Sequence, residues 1–268
     1  FENANTSFHQ AARCKRYTNE VLAFSMVKEE ELLRATEEIQ NLTYRQGEYK
    51  IFKVFEPKER LIMALPFYDR VVQHMICNAI QPVFENGFYY HSYACRSGKG
   101  MHAASDTLYQ WVYETEVKQG LRMYAFKGDI SKYFASIPHD KLKDENRRYI
   151  GDKKALMLMD DIIDHNGILP DGVGIPVGNL TSQLFANVYG NKLDKFCKHV
   201  LHIPYFVRYM DDFIILSDDL EQLKEWVKRI EEFLENEMLL HINPKSTILY
   251  AGNGIDFCGY INYADHQK

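Results

Sequence analysis

At 268 residues, 46% hydrophobic and 26% charged, the sequence can bury a large core in one domain or in two closely packed subdomains. No apolar run approaches the roughly 20 residues of a helical membrane span, and five dispersed cysteines without a CxxC spacing exclude a disulfide framework or a zinc site and suit a reducing cytoplasm. The net charge of −5 argues mildly against a protein that lives on nucleic acid, although local fields decide binding more than the sum does, and a basic partner could supply what the chain lacks.

In chain order, residues 1–26 show no clear periodicity and offer only the basic cluster Arg13, Lys15 and Arg16. From Val27 to about Asn41 the pattern predicts an acidic amphipathic helix with Leu32, Leu33 and Ile39 inward. Residues 50–55 and 60–64 read as a hairpin around a turn at 56–59. Its cations Lys53, Lys58 and Arg60 could clamp a triphosphate or simply be solvated. Asp69 is expected to open a helix in which Val72, Met75, Ile76, Ala79, Ile80 and Val83 recur at helical spacing. The loop 92–100 (SYACRSGKG) follows, with Arg96 and Lys99 able to meet phosphates; it is not a P-loop, since no GxxxxGK[ST] is present. A helix from Met101 to about Lys118 then precedes a short buried strand at 123–126.

That strand delivers Asp129 at its end, where a carboxylate is unlike solvated decoration. Two helices are expected over 139–165. The glycine-punctuated loop 172–183, containing Val177, Gly178 and Gln183, feeds a helix through Leu184, Val188 and Leu193. Residues 205–216 (YFVRYMDDFIIL) read as strand, tight turn and strand, with Asp211 and Asp212 at the turn. An Asp-Asp turn alone is ordinary. A third carboxylate from another strand changes its meaning, because paired carboxylates repel and hard oxygen donors suit magnesium. An amphipathic helix from Leu220 to about Asn236 and a strand-rich end over 239–262 complete the chain.

These blocks, in this order, resemble the fingers and palm of a reverse transcriptase. Tyr209-Met210-Asp211-Asp212 is similar to the YxDD motif, and Asp129-Ile130-Ser131-Lys132-Tyr133-Phe134 to the first palm motif. Lys245 matches the lysine at the end of the palm, Phe257-Cys258-Gly259-Tyr260 the primer grip, and Lys58-Glu59-Arg60 with the 92–100 loop the two fingers motifs. The resemblance covers about residues 45 to 263. It implies an α+β fold, with an antiparallel palm sheet packed on helices. The divisions it implies are an N-terminal helical extension over 1–44, fingers over 45–120, and palm over 121–263 with fingers residues interleaved near 140–180. The segment 264–268 would be the start of a connection to a thumb; with no helical thumb following in this sequence, weak or absent activity is expected from the stretch alone.

The resemblance also implies the chemistry. Asp129 and Asp211 would bridge two Mg²⁺ ions, with Mn²⁺ as a substitute, Asp212 would be a weaker ligand, and the Ile130 carbonyl would complete the triphosphate-side metal. Nucleotide contacts would come from Lys53, Lys58, Arg60, Phe134, Val177, Gly178, Gln183 and Lys245, and template contacts from Arg96 and Lys99. Phe134 would exclude a ribose 2′-hydroxyl; the equally aromatic Tyr133 leaves open which of the two rings is core. The loop 177–183 reads [ILV]GxxxSQ where most bacterial relatives carry QGxxxSP, which resembles the enzymes of diversity-generating retroelements. That subtype implies error-prone cDNA synthesis from template RNA and a cDNA primer with dNTPs, in a bacterial or phage-encoded cytoplasmic enzyme working with a small basic accessory variability protein and no membrane. Group II intron-type and antiviral-defence reverse transcriptases share the chemistry, and a non-catalytic nucleic-acid scaffold could share the fold.

Overall fold

Strands form where β-branched and aromatic residues cluster between turn residues. In the computed structural model, which describes residues 1–55 and 59–268, β1 (Lys50–Phe55) pairs antiparallel with β2 (Glu59–Ala64). Lys58 lies outside the described residues, as does the side chain of Arg60. β3 (Tyr124–Asp129), β4 (Tyr205–Tyr209), β5 (Asp212–Ser217) and β6 (Thr247–Tyr250) form an antiparallel sheet in the order β4-β5-β3-β6. β7 (Ile255–Phe257) and β8 (Tyr260–Asn262) make a separate hairpin. Among the described residues no helix is long and apolar enough to cross a membrane.

The chain divides into two units, each assembled from two separate stretches: residues 1–87 with 138–185, and residues 88–137 with 186–268. In the first, residues 1–26 hold two helices that the sequence pattern did not announce, Glu2–Ala11 and Asn19–Met26. Aromatic packing organises them: Phe8 stacks on Phe24 at 5.6 Å, and Phe67 meets both edge-on at 6.0 and 5.1 Å. The helix Lys28–Asn41 buries Leu32 and Ala35 but leaves Leu33 52% exposed, against expectation. One position is about 100° around a helix, and the buried face centred on Leu32 and Ala35 is too narrow to take in Leu33 as well. Likewise the helix Phe67–Glu85 buries Val72, Met75, Ile76 and Ile80 while Ala79 and Val83 are exposed. The expected pair over 139–165 is His139–Arg147 and Lys153–Asp164.

The second unit is built on the four-stranded sheet. Ala125, Val207, Ile214 and Leu216 pack against Ala104, Leu108 and Val112 of the helix Met101–Val112, in one core that also takes Ala251, Ile255 and Phe257. β5 is buried from Phe213 to Ser217, as its unbroken apolar run requires when both faces of a strand are covered. The helix Leu220–Glu237 packs on β3 and β5 and is capped by Asp219, whose carboxylate accepts from the amides of Glu221 and Gln222. The helix Leu180–Lys195 begins in the first unit and ends in the second.

Candidate active site

Asp129, Asp211 and Asp212 come together in the second unit. β3 and β5 are in register with Asp129 directly opposite Asp212, a placement that brings Cβ atoms to about 5 Å. Tyr209 pairs with Asp212, so Met210 and Asp211 form a two-residue connection. The Asp211 carbonyl accepts a 3.2 Å hydrogen bond from the Ile130 amide, tying the turn to the end of β3. Met210 has φ 59°, the geometry that a II′ turn asks of its first connecting residue and normally gives to glycine. Like charges directly opposite in a sheet destabilise it. The Asp212 carboxyl shows the effect: it is pushed up to about 6, by burial first and then by the charges of Asp211 and Asp129.

The segment that follows the helix Leu220–Glu237 fastens Asp129. The Ser131 amide donates to the His241 carbonyl at 2.8 Å and the Asn243 amide to the Asp129 carbonyl at 2.7 Å. Ser246 Oγ accepts from the Asp129 amide at 3.0 Å, and Asn243 Nδ2 donates to Asp129 Oδ2 at 2.5 Å. Asn243 escaped the sequence reading: Asn-Pro announces a turn, but nothing in it points to a carboxylate 114 residues away. Lys245 is exposed in the same turn, its amide bonded to Asn243 Oδ1 at 3.1 Å.

The block expected to serve as primer grip folds as the β7–β8 hairpin. Cys258 and Gly259 connect it with φ 54° and 83°, the double positive φ of a I′ turn. The Cys258 thiol is pushed up to about 12 by burial and by the charges of Asp212 and Asp256, so the hairpin tip lies near the carboxylates. Phe257 is buried, and the Tyr260 hydroxyl lies 2.6 Å from His102 Nδ1. Tyr133 and Phe134 part ways: Tyr133 is buried and donates to the Ala186 carbonyl at 2.7 Å, whereas Phe134 is half-buried.

Sequence reasoning also passed over Arg208, in β4 just before the acidic turn, which is fully buried and donates to the Met210 carbonyl at 2.8 Å. A positive charge beside a YxDD motif is visible in sequence; its burial is not. Arg96 and Lys99 are bound into their own loop. Arg96 Nη1 donates to the carbonyls of Tyr89 and Ser92 at 2.7 and 2.6 Å, and Lys99 Nζ donates to the Tyr90 carbonyl at 2.9 Å.

The remaining candidates belong to the first unit. The Val177 carbonyl accepts from the Met63 amide of β2 at 3.1 Å, and Asn179 Nδ2 donates to the Tyr49 hydroxyl at 3.0 Å, so the loop 177–179 is moored beside the hairpin. Gly178 has φ 116° and would set a Cβ 3.1 Å from the Ile62 side chain. Val177 and Gln183 are half-buried. Lys53 Nζ pairs with Glu59 at 2.6 Å with both side chains more than half exposed, a pair weak enough to be exchanged for phosphate.

Among the described residues no three His, Cys, Asp or Glu side chains form a ready cage for a metal. Magnesium does not require one, since it keeps waters and binds through one or two carboxylates plus substrate phosphates. Hard oxygen donors fit such an ion: burial first and the neighbouring carboxylates second raise the Asp212 pKa, and a divalent cation cancels the repulsive part.

Residues 53–262 match the family model described as Reverse transcriptase (RNA-dependent DNA polymerase). Protein YkfC of Escherichia coli is 25% identical over 238 residues, covering 72% of this chain and 60% of that protein. The putative COX1/OXI3 intron 2 protein of Saccharomyces cerevisiae is 22% identical over 254 residues, 72% of this chain and 29% of that protein. The chain thus spans less than two thirds of the length of these relatives. Among solved structures, apo telomerase from Candida tropicalis superposes with a TM-score of 0.62 at 12% identity, over 83% of this chain and 48% of that one. Telomerase from Candida albicans, solved in complex with a fragment of telomeric RNA, superposes at 0.56 and 14% identity, over 91% and 49%. These likenesses bear out the α+β fingers-and-palm fold expected from the motifs, and with more than half of its length matched by the family model, the chain belongs to the reverse transcriptase (RNA-dependent DNA polymerase) family.

Proposed function

We propose that this chain carries the catalytic core of an RNA-directed DNA polymerase working by two-metal nucleotidyl transfer. The observation that carries the reading is Asp129 opposite Asp212 across β3 and β5, with Asp211 at the adjoining turn. Two bound Mg²⁺ ions would activate the primer 3′-hydroxyl and hold the triphosphate with its leaving group. Asp129 and Asp211 are the residues that hold them, Asp212 takes a lesser share, and the Ile130 carbonyl is the backbone donor. Lys53, Lys58 and Arg60 neutralise triphosphate charge, Lys245 assists pyrophosphate departure, and the β7–β8 hairpin steadies the primer end. Phe134, the half-buried ring of its pair, excludes the 2′-hydroxyl and so selects dNTPs. Primer extension with dNTPs on an RNA template tests this: Asp211→Asn is expected to lower incorporation by about 100-fold or more with the fold intact, and equal incorporation by both proteins refutes the assignment.

The biological setting we favour is a diversity-generating retroelement, on the strength of Val177 and the Ser182-Gln183 ending of the Gly178 loop. Template RNA and a cDNA primer are then the substrates, and a small basic accessory protein is the partner that complements a net charge of −5. An intron-type enzyme is the second reading, favoured by the relative whose name places it in a yeast intron. Sequencing the cDNA separates them: errors concentrated at template adenines mark the first, and a uniformly low error rate the second.

A further inference from the structure

We propose that Arg208 is a positioning residue for the carboxylate turn: through the Met210 carbonyl it sets the backbone from which Asp211 and Asp212 project. The inference rests on the reading of Asp211 as a metal ligand. Arg208 and Asp194 are both 0% exposed. The guanidinium forks onto Asp194, Nε to Oδ1 at 2.6 Å and Nη2 to Oδ2 at 2.7 Å, and Nη2 also donates to Ser92 Oγ at 3.1 Å. Nη1 is the arm that reaches the turn, donating to the Met210 carbonyl at 2.8 Å. The main chain of Arg208 is held as well, its amide on the His91 carbonyl and its carbonyl on the Tyr93 amide, each at 3.0 Å. The head group is closely packed on the side of Gly190, where a Cβ would stand 2.6 Å from Nη1.

Stability alone is a poor reason for this arrangement, since an apolar pair of similar volume often stabilises a core as well as a buried ion pair does. Geometry is a better one. Met210 holds φ 59° without being glycine, and a strained residue of that kind persists only when its surroundings over-determine it. The Met210 carbonyl and the Asp211 amide share one peptide plane. Fixing the carbonyl therefore fixes the direction in which the Asp211 Cα, and with it the carboxylate, leaves the turn. Asp194 serves to aim the fork.

Two variants of the intact protein test this, with Mn²⁺ binding followed by electron paramagnetic resonance in the absence of nucleic acid. The first is the double replacement Arg208→Met with Asp194→Leu, which keeps an apolar core and removes the donor to Met210. The second is Arg208→Lys, which keeps a cation for Asp194 but lacks the fork to serve both partners. The Mn²⁺ half-saturation concentration is expected to rise about 10-fold or more in whichever variant melts cooperatively. In extension assays kcat should fall by a similar factor while the KM for dNTP stays within about 2-fold. A cooperatively melting variant whose Mn²⁺ half-saturation stays within about 2-fold of wild type overturns the proposal. Asp211→Asn is the control: if it leaves Mn²⁺ binding unchanged, the metal reading of Asp211 fails, and the inference fails with it for a reason independent of Arg208.

Discussion

Asp212 is held in a position that the fold by itself disfavours, opposite one carboxylate and beside another. Its folded-state pKa near 6 lies above the ordinary 3.8, so between those values the native state binds more protons than the unfolded chain and stability falls as pH rises. The penalty is absent below about pH 4 and complete above about pH 6 to 7. Without divalent cation, Asp212→Asn should therefore raise the melting temperature at about pH 7.5 and leave it unchanged near about pH 4. Mg²⁺ should stabilise the wild type at the higher pH and much less the variant. Melting curves across pH check this, and parallel wild-type and variant profiles would remove the repulsion from the account. Asn243 acts on the other side of the site. Asn243→Ala takes the donor from Asp129 Oδ2, at a cost of about 1–2 kcal/mol and a loss of activity of about 10-fold, measurable by denaturation and primer extension. The three carboxylates that the sheet brings together could be picked out in the sequence because motif spacing encodes them. Asn243 and Arg208 could not, because their meaning lies in partners that only the folded chain supplies.

At the scale of elements, the sheet explains a glycine that no motif required. Gly128 sits opposite Phe213 in the β3–β5 ladder, and a Cβ there would fall 2.3 Å from Phe213 Cζ. Phe213 is fully buried and in ring contact with Phe126 and Phe206, so it cannot swing aside. Gly128→Ala is expected to cost about 1–3 kcal/mol and to disturb the Asp129–Asp212 pairing one residue further on. Urea denaturation and extension assays should show both losses, and a stable, fully active variant would mean that the sheet relaxes around the ring. Hairpins and the acidic turn were legible because their turn residues and β-rich flanks lie close together in sequence. The helices of residues 1–26 were not, since they are anchored by Phe8, Phe24 and a distant Phe67 in place of a regular apolar stripe. In the Gly178 loop, Val177→Gln is expected to lower misincorporation on an RNA template, because hydrogen-bonded discrimination exceeds what an apolar contact provides. An unchanged error spectrum would separate Val177 from fidelity.

For the molecule as a whole, chain order and spatial order disagree, and the site depends on the disagreement. β3 is a central strand whose neighbours β5 and β6 arrive 83 or more residues later, Asp129 facing Asp212 and Tyr124 facing both Ser217 and Tyr250. The second unit thus closes only when its last strands join, and the Asn243–Ser246 turn that grips Asp129 arrives with them. The same stretch supplies Ala251, Ile255 and Phe257 to the core around the helix Met101–Val112. Burial of the Ile and Phe alone is worth about 3–6 kcal/mol, to which the β3–β6 ladder adds, against a total domain stability of about 5–15 kcal/mol. A chain ending at Leu240 should therefore lose the cooperative melting of the second unit and expose residues 88–137 and 186–240 to proteolysis, while the first unit keeps all of its residues. Limited proteolysis with mass spectrometry reads both halves of that expectation. A truncated chain that resists digestion throughout would show that β3 can stand as an edge strand, and that the turn carrying Asn243 does not hold the sheet.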